Sequence, residues 1–196
     1  MTEVKQVSVA SVTKKILLQL SNQRETSAGK AILAKLRHAV GKPINEAKEI
    51  WPILFEHLPE EFLGQHGRAS KEEVAILTAI QLYALHQQGN SQKVLADDFQ
   101  HNIGAALRTL RKDGDTVAVD RRFNTMITAT TAEELVYHLR HLITLLKSKA
   151  PSIKVNYAGL AQDLYWFMRD YQKNLRLNWA RDYYKRAFKE DTDHDN

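Results

Sequence analysis

The sequence predicts an all-α fold, a single helical-bundle domain of roughly nine helices. Three observations carry that expectation. Apolar residues recur at three- and four-residue spacing along most of the 196-residue chain. Only 8 glycines and 4 prolines interrupt it, fewer turn residues than a β-rich chain of this length needs. No alternating run reaches strand length, and Val117 to Val119 is too short to count.

The elements follow in order. Val12, Ile16, Leu17 and Leu20 form one amphipathic stripe, so residues 1–25 read as an N-terminal helical arm, with Gln19 to Thr26 as its closing loop. Ser27 is placed to cap a second helix carrying Ile32, Leu33, Leu36 and Val40, which Gly41 and Pro43 end. A helix over Asn45–Leu58 is expected from an Asn cap and from Ile50, Trp51, Leu54, Phe55 and Leu58. Ser70, with Glu72 and Glu73 in the first turn, opens a helix whose buried face is expected at Val74, Leu77, Ile80 or Ala84, and Leu85. Helices over Ile103–Lys112 and Asp120–Thr128 follow. Thr131 and Glu134 then form a capping-box pair at the head of a long helix with Leu135, Leu139, Leu142 and Leu146 on one side. Asn156 caps a helix running to about Tyr171, and a last helix holds Leu177, Trp179, Tyr183, Tyr184 and Phe188. The bundle is expected to span residues 26–189.

Composition narrows the chemistry. Cysteine is absent, which removes disulfides, thiolate metal sites and a Cys nucleophile, and suits a reducing cytoplasm. No stretch approaches the roughly 18 apolar residues of a membrane span, and Met1 to Ala10 has no apolar core of leader-peptide length. The expectation is a cytoplasmic protein with no membrane contact. The formal charge is +5, but residues 190–196 hold Glu190, Asp191, Asp193 and Asp195 without a cation. Setting aside this acidic, flexible tail lifts the remaining chain by four charges to +9. A basic body favours a polyanionic partner.

No catalytic constellation emerges. The chain has no phosphate-binding Gly-rich loop with Lys-Ser/Thr, no Gly-x-Gly-x-x-Gly and no Gly-x-Ser-x-Gly. His138 and His141 share a helix face but lack a third ligand at useful spacing, and adjacent Asp97 and Asp98 diverge on a helix. No catalytic residue, metal site or cofactor is expected, and the chain is read as non-enzymatic.

The cations carry more information. Arg108, Arg111 and Lys112 fall at i, i+3 and i+4 beside the row Ile103, Leu107, Leu110. Lys30, Lys35 and Arg37 stand beside Leu33 and Leu36, and Arg121-Arg122 directly precede Phe123. Few carboxylates share these faces. Gly104, Ala105 and Ala106 also leave backbone bare near a helix start, where a phosphate could approach amides. The aromatics Trp51, Trp166, Trp179, Tyr165 and Tyr183 lie in apolar stripes and read as core or interface.

Several segments, in order, resemble a known family. They are Gly29-Lys30-Ala31 leading to Leu36-Arg37-His38-Ala39, Trp51-Pro52, Gly104-Ala105-Ala106-Leu107, Arg121-Arg122-Phe123 with Met126-Ile127, and Leu139-Arg140-His141-Leu142. Val155-Asn156-Tyr157 with Leu160-Ala161, and Trp179-Ala180-Arg181-Asp182-Tyr183-Tyr184, complete the set. Together, over residues 26–187, they are similar to CasB, the small subunit of the type I-E CRISPR surveillance complex, Cascade. The resemblance implies a helical, non-catalytic subunit that assembles as a dimer within the complex. It would contact other Cascade subunits, the guide RNA, and the target and displaced DNA strands, and stabilise the R-loop. By the same resemblance Arg108, Arg121 and Arg122 are the leading nucleic-acid contacts, with Lys30, Lys35, Arg37, Arg111, Lys112 and Arg140 next. Arg140 and Arg181 also suit a role in holding the bundle or dimer together. The alternative is a purely protein-bridging scaffold whose basic face meets acidic protein surfaces.

Overall fold

A computed structural model describes residues 7–112 and 116–185, which form nine α-helices and no strand. They are α1 (Val9–Gln23), α2 (Ser27–His38), α3 (Trp51–Phe55), α4 (Lys71–Gln87), α5 (Ile103–Arg108), α6 (Thr116–Ile127), α7 (Ala132–Lys149), α8 (Tyr157–Met168) and α9 (Gln172–Tyr184). The all-α bundle expected from periodicity is the observed fold. No helix among the described residues is long and apolar enough to cross a membrane.

α4 sits at the centre, packed against α1, α2, α7 and α8. Its sequence explains this position. Ala75 to Ala84 is buried without interruption, Gln81 included, so the helix has no solvent face over that stretch. The single stripe expected for it is therefore corrected, and Val74 and Leu85 lie at its margins, only half-buried. α1 places Val12, Ile16, Leu17 and Leu20 in the same core and packs on α8 and α4. α9 lies on α5, and α6 lies on α7, which brings α5, α6 and α9 together as an outer layer.

Short polar residues start most of these helices. Ser8, Ser70, Asn102, Thr131 and Asn156 each accept a backbone N–H from the first turn of the helix they cap. Ser70 and Glu73 close a full capping box. At α7 the Glu134 carboxylate reaches Thr130 N–H instead of Thr131, so the box is incomplete. α2 is capped by Thr26, one residue before the serine expected there.

Three expected helices are shorter or differently wound. Asn45–Leu58 is two 3₁₀ turns (Ile44–Glu46 and Lys48–Ile50) followed by the five-residue α3, with Pro52 in its first turn. Pro43 and Pro52 lack the N–H a longer helix would need there. The segment expected as one helix over Ile103–Lys112 is α5 followed by a 3₁₀ turn, Thr109–Lys112. α8 ends at Met168, three residues early, where Asp170 takes φ 67° and Tyr171 N–H bonds back to Trp166 O. Trp166 is 40% exposed, which leaves the interface half of its core-or-interface expectation.

Between α4 and α5 the chain runs extended past the start of α8. Leu95 and Val155 form an isolated parallel bridge, with Ala96 N–H donating to Val155 O and Val155 N–H donating to Val94 O.

Burial shifts two titratable groups toward their neutral forms. His86 is fully buried, shares a 2.9 Å hydrogen bond with the Tyr157 hydroxyl through Nδ1, and has no partner at Nε2. Burial, assisted by the Lys147 charge, pushes its pKa down to about 4. Asp163 accepts the Trp179 indole N–H at 2.8 Å, yet burial pushes it up to about 6. The two oppose each other. Between their unfolded and folded values, the unfolded chain binds the extra proton at His86, so acidification destabilises. At Asp163 the folded chain binds it, so acidification stabilises. Each contribution amounts to about 2 kcal/mol on acidification to about pH 4.5. Relative to wild type, Asp163→Asn should therefore steepen the acid loss of stability, and His86→Gln should flatten it. Denaturant melts across that pH range check both signs.

Gly104 fixes the α5–α9 crossing, since a Cβ there would stand 2.2 Å from the Trp179 carbonyl oxygen. The small residues of Gly104-Ala105-Ala106 thus serve helix packing, and Asn102 already occupies the Ala105 amide, which corrects the expectation of a phosphate approach. Gly104→Ala should destabilise by about 3 kcal/mol or more, whereas Ala105→Gly should lower stability by about 1 kcal/mol. Equal melting shifts for the two would contradict the packing role.

Candidate nucleic-acid interface

The first cationic surface is built on α6. Its one carboxylate, Asp120, points inward and is fully engaged. Arg111 Nε and Nη2 donate to Asp120 Oδ1 and Oδ2 at 2.8 and 3.2 Å, and the Tyr183 hydroxyl donates to Oδ1 at 2.6 Å. Burial works to raise this carboxyl, but the bonds from Arg111 and Tyr183 outweigh it and hold it below the usual carboxylate range. Tyr183 stacks face to face on Phe123, centroids 3.7 Å apart, and the Arg111 guanidinium lies 5.2 Å from the centres of both Tyr183 and Tyr184. The 3₁₀ winding after Arg108 advances about 120° per residue instead of 100°. Arg111 turns inward on that segment, away from the cationic row its spacing suggested.

The consequence lies on the outer side of α6. Arg121 and Arg122 are exposed, and neither has an ion-pair partner among the described residues. The acid next to them in sequence is already neutralised by Arg111. Arg108, the last residue of α5, is half-buried and likewise unpaired among the described residues.

The second surface joins α2 to α7. Arg37 stands in the last turn of α2, and burial lowers its pKa. Lys147 of α7 is lowered too, first by burial and then by the Arg37 charge beside it, and its ammonium donates to Gln88 Oε1 at 3.0 Å. Arg140, seven residues before Lys147 on the same helical line, reaches over the loop after α2. Its Nη1 lies 3.8 Å from where a Cβ on Gly41 would stand. Gly41 makes that turn at φ 81°, a conformation that favours glycine. Arg37 and Lys147 lie near each other across α2 and α7, Arg140 stands two turns away beside Gly41, and none of the three has a carboxylate in ion-pair range among the described residues. Lys147 was missed from the sequence, although its i+7 spacing from Arg140 was a usable signal.

The remaining sites differ. Lys30 pairs with Glu25 at 3.7 Å on an open surface. Lys35 borders a cavity of about 290 Å³ that also holds Glu49, Glu56 and His57. The side chain of Lys112 lies outside the described residues, as does the tail from residue 186. Asp98 caps the 3₁₀ turn at Phe99–His101, Asp97 pairs with Lys14 at 3.5 Å, and His138 and His141 flank the Tyr137 ring edge-on.

Residues 32–184 match the family described as CRISPR-associated protein Cse2. No curated protein sequence matches the chain. In fold it is similar to CasB from Thermobifida fusca, with a TM-score of 0.72 and 24% identity over 89% of this chain and 97% of that one. CasB from M. ruber gives a TM-score of 0.67 at 23% identity, covering 91% and 94%. A chain of a CRISPR RNA-guided surveillance complex gives 0.68 at 16% identity, covering 89% and 92%. The family match runs from within α2 to the last residue of α9, takes in both cationic surfaces, and agrees with the resemblance read from the sequence: the chain belongs to the CRISPR-associated Cse2 family.

Proposed function

We propose that the chain is a non-catalytic subunit of a CRISPR RNA-guided surveillance complex that grips nucleic-acid backbone through its two cationic surfaces. Arg121 and Arg122, with Arg108, form one contact line; Arg37, Arg140 and Lys147 form the other. The observation that carries this reading is the second surface. Arg37 and Lys147 lie near each other, Arg140 flanks them over Gly41 two turns along α7, and none has a carboxylate in ion-pair range among the described residues. Such an arrangement is electrostatically costly alone and is relieved by a polyanion. Family membership and the fold shared with a chain of a surveillance complex support the setting. In this reading the subunit acts in the cytoplasm, beside other complex subunits, the guide RNA and a second copy of itself. It stabilises the paired and displaced DNA strands without reading bases. Lys30 and Lys35 are secondary contacts. Arg111 is a positioning residue, since Asp120 already takes its charge.

Fluorescence anisotropy with single-stranded DNA of mixed sequence, across a salt titration, tests the proposal. Each phosphate contact contributes about 0.7 to the log–log salt slope. Arg121→Ala with Arg122→Ala should lower the slope by about 1.4, and Arg37→Ala, Arg140→Ala and Lys147→Ala together by about 2, equally for unrelated sequences. Melting curves should stay near wild type for the Arg121/Arg122 variant and at or above it for the triple variant, which loses the repulsion between Arg37 and Lys147. If the wild-type chain shows no salt-sensitive binding, or both variants keep its full slope, the protein-bridging scaffold replaces this reading.

A further inference from the structure

A further concavity lies away from both cationic surfaces. A cleft of about 720 Å³ opens between the first turns of α1, the extended segment before α5, the start of α8 and the face of α9. Two carboxylates line it together with Trp179. Asp163 receives the Trp179 indole N–H, and Asp182, one turn further along α9, receives the Asn102 side-chain amide. Neither has a cation within ion-pair range among the described residues. At the rim, Asp97 meets Lys14 in an open, half-exposed pair. Three carboxylates thus face Lys14 and Arg181 in the cleft of an otherwise basic body.

The wall offers backbone as well. A parallel bridge uses the groups flanking its central residue, here Val94 O and Ala96 N–H, so the N–H and C=O of Leu95 belong to the opposite edge. Neither makes a hydrogen bond among the described residues. Leu95 lines the cleft, and beside it Phe99 stands 88% exposed, an apolar surface with no packing of its own.

We infer that this cleft docks an extended peptide segment of a partner protein, which adds to the free edge at Leu95, covers Phe99 and sets an arginine between Asp163 and Asp182. Edge pairing supplies affinity from the backbone, and side-chain pockets supply selectivity. Arginine fits because its planar fork bonds two acceptors at once and keeps its charge when buried. Its arrival also relieves a carboxylate that burial pushes up to about 6. A protein strand, and not nucleic acid, suits this site: the carboxylates repel phosphate, and base edges offer no strand to pair.

Calorimetry on the full chain tests the inference with a defined probe, the acetylated and amidated pentapeptide valine-arginine-valine-arginine-valine. It should bind, and replacing both arginines by glutamate, or methylating the backbone nitrogens that would meet Leu95, should weaken binding about ten-fold or more. Phe99→Ala and Asp182→Asn should each weaken the arginine peptide several-fold. Phe99 is exposed, so its variant keeps the fold, and the methylated peptide leaves the protein untouched. Single-stranded DNA should not displace the peptide. Equal binding of the glutamate peptide, no effect of methylation, displacement by DNA, or no binding of the arginine peptide would each overturn the inference.

Discussion

The outer layer of the bundle depends on one carboxylate. Asp120 ties the 3₁₀ turn after α5 to α6 through Arg111, and α6 to α9 through Tyr183, whose ring lies flat on Phe123. Charge-assisted bonds of this kind are stronger than neutral ones, and losing one partner strands the other in a partly dry setting. The same contact has an electrostatic result on the far side of α6. By consuming the acid, it leaves Arg121 and Arg122 with no local counter-charge among the described residues. Packing and surface charge are thus set by one side chain.

The core obeys a different constraint. α4 is enclosed by four helices, so every polar group it carries must be satisfied internally or kept neutral. Gln81 manages by donating to Ala39 O at 2.7 Å, which pins the end of α2 near the start of the loop that bears Gly41. His86 manages only through Tyr157 and loses its basicity. The second cationic surface inherits its geometry from this enclosure, because α2 and α7 lie on either side of the same buried helix.

What was legible in the sequence was local. The caps at Ser70, Thr131 and Asn156, and the leucine row of α7, need only neighbours within one or two turns, and they were readable as such. The failures were places where distant residues decide. Arg111 has helical spacing to Arg108, but its partners Asp120 and Tyr183 lie 9 and 72 positions away. The bareness of Gly104 answers Trp179, not a ligand. The approach of Arg37 to Lys147 follows from helix packing across the core, which no local pattern encodes. The segment around Trp51 was misread for a local reason, since its prolines limit helix growth more than its apolar spacing promotes it.

The depressed basicity of Lys147 has a chemical consequence. Acylating reagents attack the free amine, and at a given pH a lysine lowered by burial and by a neighbouring guanidinium holds more of that form than a solvated lysine. A bound polyanion, by favouring its protonated form, would slow that acylation. Protection of Lys147 from acylation would therefore report on occupancy of the second cationic surface.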